Sequence, residues 1–224
     1  MRTRGYTARV RILTWNINGI RSAAKKGLWD RIDAIGPDVA CFQEIRAHPE
    51  VLTEDLRARA GWHAEWHPAK KPGYAGTGAW CRTELAIEAR GMGRAADDEG
   101  RVLVSRCSGI RIVNTYLPSG SAGPHRQAVK DRWLPRFARW IAPMARSRIP
   151  TILCGDLNIA HTPRDIYYAK SNEKNSGFLP HERKWIGDLI ASGWHDLVRE
   201  DAGDRDGPYT WWSNRGQARA LDRG

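Results

Sequence analysis

Residues 150–158, with the sequence PTILCGDLN, decide the fold class of this chain of 224 residues. An apolar, β-branched run leads directly into Gly, Asp, Leu and Asn, which is typical of a buried strand that ends in polar side chains. The same pattern occurs at residues 10–18 (VRILTWNIN) and at residues 38–44 (DVACFQE). Strands that are apolar on both faces need layers on both sides, so the pattern predicts an α/β fold.

Predicted helices and hairpins lie between these strands. Residues 127–146 carry apolar side chains at helical spacing, and the strands on either side of residues 108–109 predict a hairpin. Because helix-linked and hairpin-linked strands occur together, we expect mixed sheets. No linker divides residues 10–224, which we assign to one domain after a basic extension at residues 1–9. The other predicted elements are helices from Ser22 to Gly36, at 53–60 and at 180–190, and strands at 62–66, 79–81, 101–107, 110–117 and from 208 to 212.

The charge of the chain suggests a polyanionic partner. Its formal net charge is +11, its pI is about 9.9, and it contains 11 Trp and 6 Tyr. A strongly basic domain with many aromatic residues fits a nucleic-acid backbone. Charge alone does not separate this interpretation from that of an ordinary soluble basic protein.

The cysteines and the apolar runs indicate the compartment. Cys41, Cys81, Cys107 and Cys154 are widely spaced, without a Cys-x-x-Cys pair, so we expect neither a disulfide framework nor a zinc site. The N-terminus lacks the apolar core of a signal peptide, and no later run is long enough to span a bilayer. We therefore expect a soluble, cytoplasmic protein without a membrane partner.

Polar residues recur at the carboxyl ends of the predicted strands, where side chains from distant parts of a chain meet in one pocket. Each has an ordinary explanation by itself, as a turn former or a solvated strand end. Their occurrence on separate strands favours a functional site. They are Asn16, Asn18, Glu44, Asn114, Tyr116, Asp156 and Asn158.

These residue types fit a metal-assisted reaction at a phosphate. Magnesium prefers oxygen ligands, usually one or two carboxylates with water and substrate phosphate, so Glu44 can bind it directly. The amide oxygen of Asn16 can bind the metal or orient a bound water, and Asp156 can activate the attacking water. Tyr116 and Asn158 can donate hydrogen bonds to the phosphate as its charge grows.

Several motifs in register carry a resemblance to a known family. They are residues 15–21 (WNINGIR), 42–46 (FQEIR), 114–120 (NTYLPSG), 155–161 (GDLNIAH), 176–183 (SGFLPHER) and 209–213 (YTWWS). In this order they resemble the exonuclease III branch of the endonuclease/exonuclease/phosphatase superfamily, which includes the AP endonucleases. The resemblance runs from about Arg11 to the last residue.

The resemblance implies a fold, an activity and a metal site. The fold would be a four-layer α/β sandwich of two packed mixed β-sheets flanked by helices. The activity would be magnesium-dependent incision of DNA 5′ to an abasic site, with 3′-to-5′ exonuclease and 3′-phosphatase action. Asn16 and Glu44 match the family's metal site, for Mg²⁺ or alternatively Mn²⁺, and Tyr116, Asp156 and Asn158 match its catalytic residues.

The implied partner is double-stranded DNA with abasic sites or 3′ ends, bound by a monomer. Adjacent Trp residues in a strand face opposite ways, so one of the pair at 211–212 also fits the core, and a loop lysine such as the one at 174 also fits a solvated surface. The residues assigned to DNA are Asn18, Arg21, Lys174, Phe178, Trp211 and Trp212.

The sequence departs from the family pattern near its end. The family continues with an Arg-Ile-Asp strand and a terminal Ser-Asp-His motif, and neither occurs here in its place. Arg31-Ile32-Asp33 lies in the first predicted helix instead. We therefore expect the last strands to be missing from this chain, and its activity as given to be reduced or lost.

Two other functions fit parts of the pattern. A catalytically dead protein that binds damaged DNA would keep the basic charge and the aromatic residues without cleaving. A phosphatase or lipid phosphodiesterase of the same superfamily would share the strand-end residues. The basic charge and the segments at 177–180 and 209–212 argue against that second alternative.

Overall fold

A computed structural model describes residues 9–93, 97–213 and 216–224. Residues 1–8 of the expected basic extension lie outside the described residues. The chain forms two compact units: Met1–Tyr116 with Arg148–Asp156, and Leu117–Ser147 with Leu157–Gly224. The assignment of residues 10–224 to a single domain stays a prediction.

The first unit contains two mixed β-sheets, as expected. In the described residues one sheet has the order β1-β2-β4-β3 and the other β5-β6-β7-β8. Pairs β1/β2 and β7/β8 are parallel, and the other neighbours are antiparallel. The strands are β1 (Ile12–Asn16), β2 (Val39–Gln43), β3 (His63–His67), β4 (Thr77–Cys81), β5 (Ala86–Arg90), β6 (Val102–Cys107), β7 (Ile110–Tyr116) and β8 (Thr151–Asp156).

The sheets pack face to face through a buried layer that includes Val39, Ala79, Leu103 and Ile112. On the other side of the first sheet, α1 (Ile20–Lys25) and α2 (Leu28–Ile35) cover a second core that contains Trp80. Because strands β2 and β4 are buried along their whole length, they carry apolar residues on both faces. The α/β class with two packed mixed sheets is confirmed.

Among the remaining helices, those predicted at 127–146 and 180–190 lie close to their predicted positions, whereas two short helices were not predicted. No helix in the described part of the chain is both long and apolar enough to cross a membrane. The remaining helices are α3 (Glu54–Arg57) in the first unit and α4 (Pro124–Ala145), α5 (Ala169–Asn172), α6 (Pro180–Ala191) and α7 (Leu197–Ala202) in the second. There are also 3₁₀ turns at Pro49–Val51 and Pro163–Asp165.

Some local predictions were wrong. The helix predicted from Ser22 to Gly36 is two helices, because Gly27 adopts a left-handed conformation with φ of 77° between them. The helix predicted at 53–60 keeps only residues 54–57, and strand β5 was not predicted. Residues 208–212 form no strand in the structure, because no described strand pairs with them. A strand is defined by its neighbour, which local pattern does not supply.

The expectation about cysteines was wrong for one pair. The structure joins Cys81 on β4 to Cys107 on β6 in a disulfide, while Cys41 and Cys154 remain free. Wide spacing along the sequence conceals such a pair, because only the packing of the two sheets brings these strands together.

Candidate active site

Four of the predicted site residues meet at one edge of the first unit. Asn16 ends β1 and Glu44 follows β2, and these strands run parallel with Asn16 beside Gln43. Tyr116 and Asp156 end β7 and β8 and are direct partners in the parallel register. Because parallel strands end at the same edge, each sheet delivers two polar side chains to one place.

A single hydrogen-bond network joins these four side chains. The amide nitrogen of Asn16 donates to Glu44 Oε1 and to Asp156 Oδ2, each at 2.8 Å. The Tyr116 hydroxyl donates to Glu44 Oε1, also at 2.8 Å. Two carboxylates are thus held side by side by neutral donors.

The orientation of Asn16 refines its predicted role. Its amide oxygen accepts a hydrogen bond from the backbone N–H of Asn18 at 3.0 Å, so its nitrogen faces the carboxylates. An amide oxygen facing two carboxylates would be repelled by them, and the observed orientation avoids this. In this arrangement Asn16 orients the two acids as a donor, and its assignment as a metal ligand stays a prediction.

The electrostatics favour a charged Glu44 and a neutral Tyr116. Burial alone would raise the pKa of Glu44, but hydrogen bonds from Asn16 and Tyr116, and the charge of Arg46, lower it below its usual value. Burial, followed by the charge of Glu44 and the hydrogen bond to it, raises the pKa of Tyr116. Glu44 is therefore an anion and Tyr116 a protonated donor near neutral pH.

Two arginines near the network are residues to which the sequence analysis assigns no role. Arg46 forms an ion pair with Glu44 Oε2. Arg101 is 2% exposed, donates to the backbone oxygen of Tyr116 at 2.8 Å, and places its guanidinium 4.7 Å from the Tyr116 ring centroid. Arg46 lies within the FQEIR motif at residues 42–46, which was a usable signal, whereas Arg101 has only its position directly before β6.

Unusual backbone conformations occur at this edge. Asn18, Glu44 and Arg46 have φ of 49°, 53° and 51°, a left-handed region that residues other than glycine adopt rarely. Gly155 has φ of 129°, and a Cβ there would lie 2.8 Å from the carbonyl carbon of Thr115 and closer still to its oxygen. Such conformations persist where surrounding structure holds them, and they concentrate at functional sites.

Asn114 is structural rather than part of the network. It is fully buried, and its amide nitrogen donates to the backbone oxygens of Phe42 and Gly78 at 3.1 and 3.0 Å. Its amide oxygen accepts from Gln43 at 2.7 Å. Asn114 therefore ties the two sheets together beneath the site.

Asn158 belongs to the second unit. Its side chain donates to the backbone oxygen of Leu117 at 2.9 Å, and its own backbone oxygen accepts from Lys130 Nζ at 2.8 Å. Its φ of 50° is again left-handed. The residue is thus held in a defined conformation from both its side chain and its backbone.

The residues assigned to DNA differ in exposure. Asn18, Arg21 and Lys174 are exposed. Trp211 is 71% exposed, whereas Trp212 is partly buried and donates from Nε1 to Asp222 at 2.9 Å. This division agrees with the expected one-in, one-out arrangement, although the segment is not a strand.

Phe178 lies in a different environment from the other candidates. Only 1% of it is exposed, and the Arg183 guanidinium lies 4.5 Å from its ring centroid. Its neighbours Gly177 and Leu179 are partly buried, and the exposed part of the loop lies at residues 173–175. A direct contact between this ring and DNA stays a prediction.

The network is chemically suited to a divalent metal. Among the described residues no three His, Cys, Asp or Glu side chains form a metal-binding group. Magnesium needs fewer protein ligands, since one or two carboxylates with water and phosphate suffice. Glu44 and Asp156, both bonded to the Asn16 amide, provide that donor set.

Comparisons with known proteins show what the chain resembles in sequence and in fold. Residues 13–223 match the model of the endonuclease/exonuclease/phosphatase family. The chain is 33% identical over 223 residues to DNA repair nuclease APEX1 of Danio rerio, covering 98% of this chain and 72% of that protein. It is 30% identical over 217 residues to an exodeoxyribonuclease of Bacillus subtilis strain 168, covering 96% and 84%. The fold matches a 3′-5′ exonuclease of Neisseria meningitidis with a TM-score of 0.87 and 22% identity, covering 96% and 83% of the two chains.

Proposed function

Because this chain belongs to the endonuclease/exonuclease/phosphatase family, in its exonuclease III and AP endonuclease branch, we propose that it is a divalent-metal-dependent DNA-repair phosphodiesterase. Its substrates would be duplex DNA with abasic sites and 3′ ends, including 3′ phosphates. The observation that carries the proposal is the network of Asn16, Glu44, Tyr116 and Asp156 at the strand ends.

Glu44 would hold the metal in this proposal, with Asn16 keeping the carboxylate in position. Mg²⁺ is the proposed ion, with Mn²⁺ as an alternative, because both accept carboxylate and water oxygens. The bound ion would supply positive charge next to the phosphodiester. The lowered pKa of Glu44 supports this role, because a proton on the carboxylate would compete with the metal.

Asp156 would orient the attacking water and accept its proton. The hydrogen bond from Asn16 holds the carboxylate of Asp156 in position for this task. Tyr116 and Asn158 would donate hydrogen bonds to the phosphate, whose negative charge increases towards the transition state. The raised pKa of Tyr116 keeps its proton in place for that purpose.

The surface of the chain supports DNA as the substrate. The net charge of +11 favours a polyanion, and Asn18, Arg21, Lys174 and Trp211 are exposed where they could contact it. We assign a monomeric state and a cytoplasmic location to the protein as part of the same proposal.

Cleavage of an end-labelled duplex with one abasic site tests the proposal. The chain is assayed with Mg²⁺ and with EDTA, beside Asp156→Asn and the control Asp188→Asn, an exposed acid on α6. We expect metal-dependent incision that Asp156→Asn abolishes and Asp188→Asn retains, with DNA binding unchanged in both. Salt-sensitive binding to the abasic duplex without incision would instead identify a catalytically inactive DNA-binding protein.

A further inference from the structure

A buried pair of opposite charges lies within the second unit. Lys130 on α4 and Glu182 on α6 both have fully buried side chains, and Lys130 Nζ lies 2.7 Å from Glu182 Oε1. Removing two charges from water is costly, and well-packed apolar residues in their place are often as stable or more so. The pair therefore calls for an explanation other than stability.

Lys130 also contacts a residue of the proposed catalytic set. Its Nζ donates to the backbone oxygen of Asn158 at 2.8 Å. Asn158 is in the left-handed conformation, with φ of 50°, and its side chain donates to Leu117 O at 2.9 Å. Because a left-handed asparagine is held by its surroundings, the lysine contact helps to fix the direction of the Asn158 side chain.

Glu182 contacts the loop that precedes α6. Its Oε2 accepts the backbone N–H groups of Gly177 at 2.6 Å and Leu179 at 3.2 Å. Its Oε1 accepts Gln127 Nε2 at 3.0 Å as well as Lys130. The carboxylate thus connects the loop of residues 177–179 to helix α4.

The two contacted segments are also bonded to each other. The backbone N–H of Ala160 donates to Gly177 O at 2.8 Å, two residues after Asn158. Gly177 has φ of 97°, and a Cβ there would lie 3.3 Å from Asn158 O. The loop and the segment of Asn158 therefore form one assembly, with Lys130 and Glu182 at its centre.

We propose that Lys130 and Glu182 are positioning residues, which align Asn158 and the loop of residues 177–179 for the phosphodiester cleavage proposed above. The inference rests on that function, because Asn158 is its proposed donor to the phosphate and the loop contains Phe178, one of the residues assigned to DNA. Neither Lys130 nor Glu182 is exposed, so they act through the groups they hold.

The test removes both charges at similar volume, in Lys130→Met/Glu182→Gln. The matched control is Lys184→Met/Asp188→Asn, which removes one positive and one negative charge from an exposed pair. Both residues lie on α6, the helix that carries Glu182, and Lys184 Nζ lies 2.7 Å from Asp188 Oδ1. A second variant, Glu182→Asp, keeps the charge but withdraws the carboxylate from the loop by one methylene. Thermal unfolding, kcat and KM for abasic-duplex incision, and amide hydrogen exchange at residues 177–179 are measured for each.

We expect Lys130→Met/Glu182→Gln to lower kcat by roughly 10- to 100-fold, because small displacements of an aligned donor cost about this much. Glu182→Asp should lower kcat in the same direction and keep the fold. Exchange at Gly177 and Leu179 should accelerate in both variants, and the Lys184→Met/Asp188→Asn control should match the wild type in kcat and exchange.

Wild-type kcat in folded variants, or a loss that only follows the unfolded fraction, would overturn the positioning role and leave the proposed function standing. Unchanged exchange at residues 177–179 would also overturn it. Failure of the wild-type chain to cleave under the same conditions would instead reject the proposed function, and the inference with it. The two failures are distinguished by whether the wild type or only the variants lose activity.

Discussion

Replacing Gly155 by alanine should disrupt the candidate site through the backbone alone. Gly155 precedes Asp156 and pairs in register with Thr115, which precedes Tyr116. A Cβ at this position would lie 2.8 Å from the Thr115 carbonyl carbon and 2.9 Å from its nitrogen, whereas ordinary contact begins at 3.4 Å. The Thr115 carbonyl oxygen would lie closer still, so the two strands must separate to make room for the added methyl group.

The size of the effect follows from two contributions. A φ of 129° is strained for alanine by about 1–3 kcal/mol, and overpacking against a neighbouring backbone adds about 1–3 kcal/mol. Together these give roughly 2–6 kcal/mol, against a total stability of about 5–15 kcal/mol for a domain. The separation also displaces Tyr116 and Asp156, so incision by the folded fraction should fall by roughly 10- to 100-fold.

Chemical denaturation and incision of an abasic duplex measure the two effects. Gly109→Ala is the matched control, because Gly109 has φ of 80° but no atom within 4 Å of the added Cβ. It should lose only about 1–2 kcal/mol from the left-handed backbone. A Gly155→Ala variant that is no less stable than Gly109→Ala and cleaves as fast as the wild type would refute a steric conflict between residue 155 and Thr115.

Three further changes test the site and its surroundings. Tyr116→Phe removes the proposed donor to the phosphate, so incision by the folded protein should slow by roughly 10- to 100-fold; an unchanged rate would exclude a catalytic hydroxyl. Glu44→Gln removes the proposed metal ligand, and calorimetric titration should show weaker Mg²⁺ binding than in the wild type, whereas equal affinity would place the metal elsewhere. Although burial opposes it, hydrogen bonds from Thr162 and the charge of Arg199 lower the pKa of Asp165, so its contribution to stability is present above its unfolded pKa and is lost as pH falls through the folded value. Asp165→Asn should therefore be less stable than the wild type at neutral pH, with a difference that shrinks on acidification; a difference independent of pH would contradict this.

The sequence motifs located most of the candidate site. Asn16, Glu44, Tyr116 and Asp156 were selected because polar residues follow apolar strands, and the fold brings them into one network. The direction of the Asn16 amide was not predictable, since it depends on two acids that are distant in sequence. The burial of Phe178 under Arg183 was likewise invisible in the motif that contains it.

Local pattern succeeded for the fold where an element is decided by its own residues. Strands β7 and β8 and helix α6 begin and end close to their predicted limits. Local pattern failed where pairing with a distant strand decides whether a segment is a strand. Strand β5 was missed although it pairs with β6, and residues 208–212 were predicted as a strand although they have no partner strand among the described residues. The pairing of Cys81 with Cys107 belongs to the same class of errors.

The sequence by itself determined which residues could do chemistry, because apolar periodicity sets where strands end and which polar side chains follow them. Only the tertiary structure decided what those side chains do. It turned the nitrogen of Asn16 towards two carboxylates, made Asn114 a tie between sheets, and placed Lys130 and Glu182 behind Asn158. The physical reason is that hydrogen bonds and charges act over a few ångströms in space, and a sequence specifies such distances only after the chain has folded.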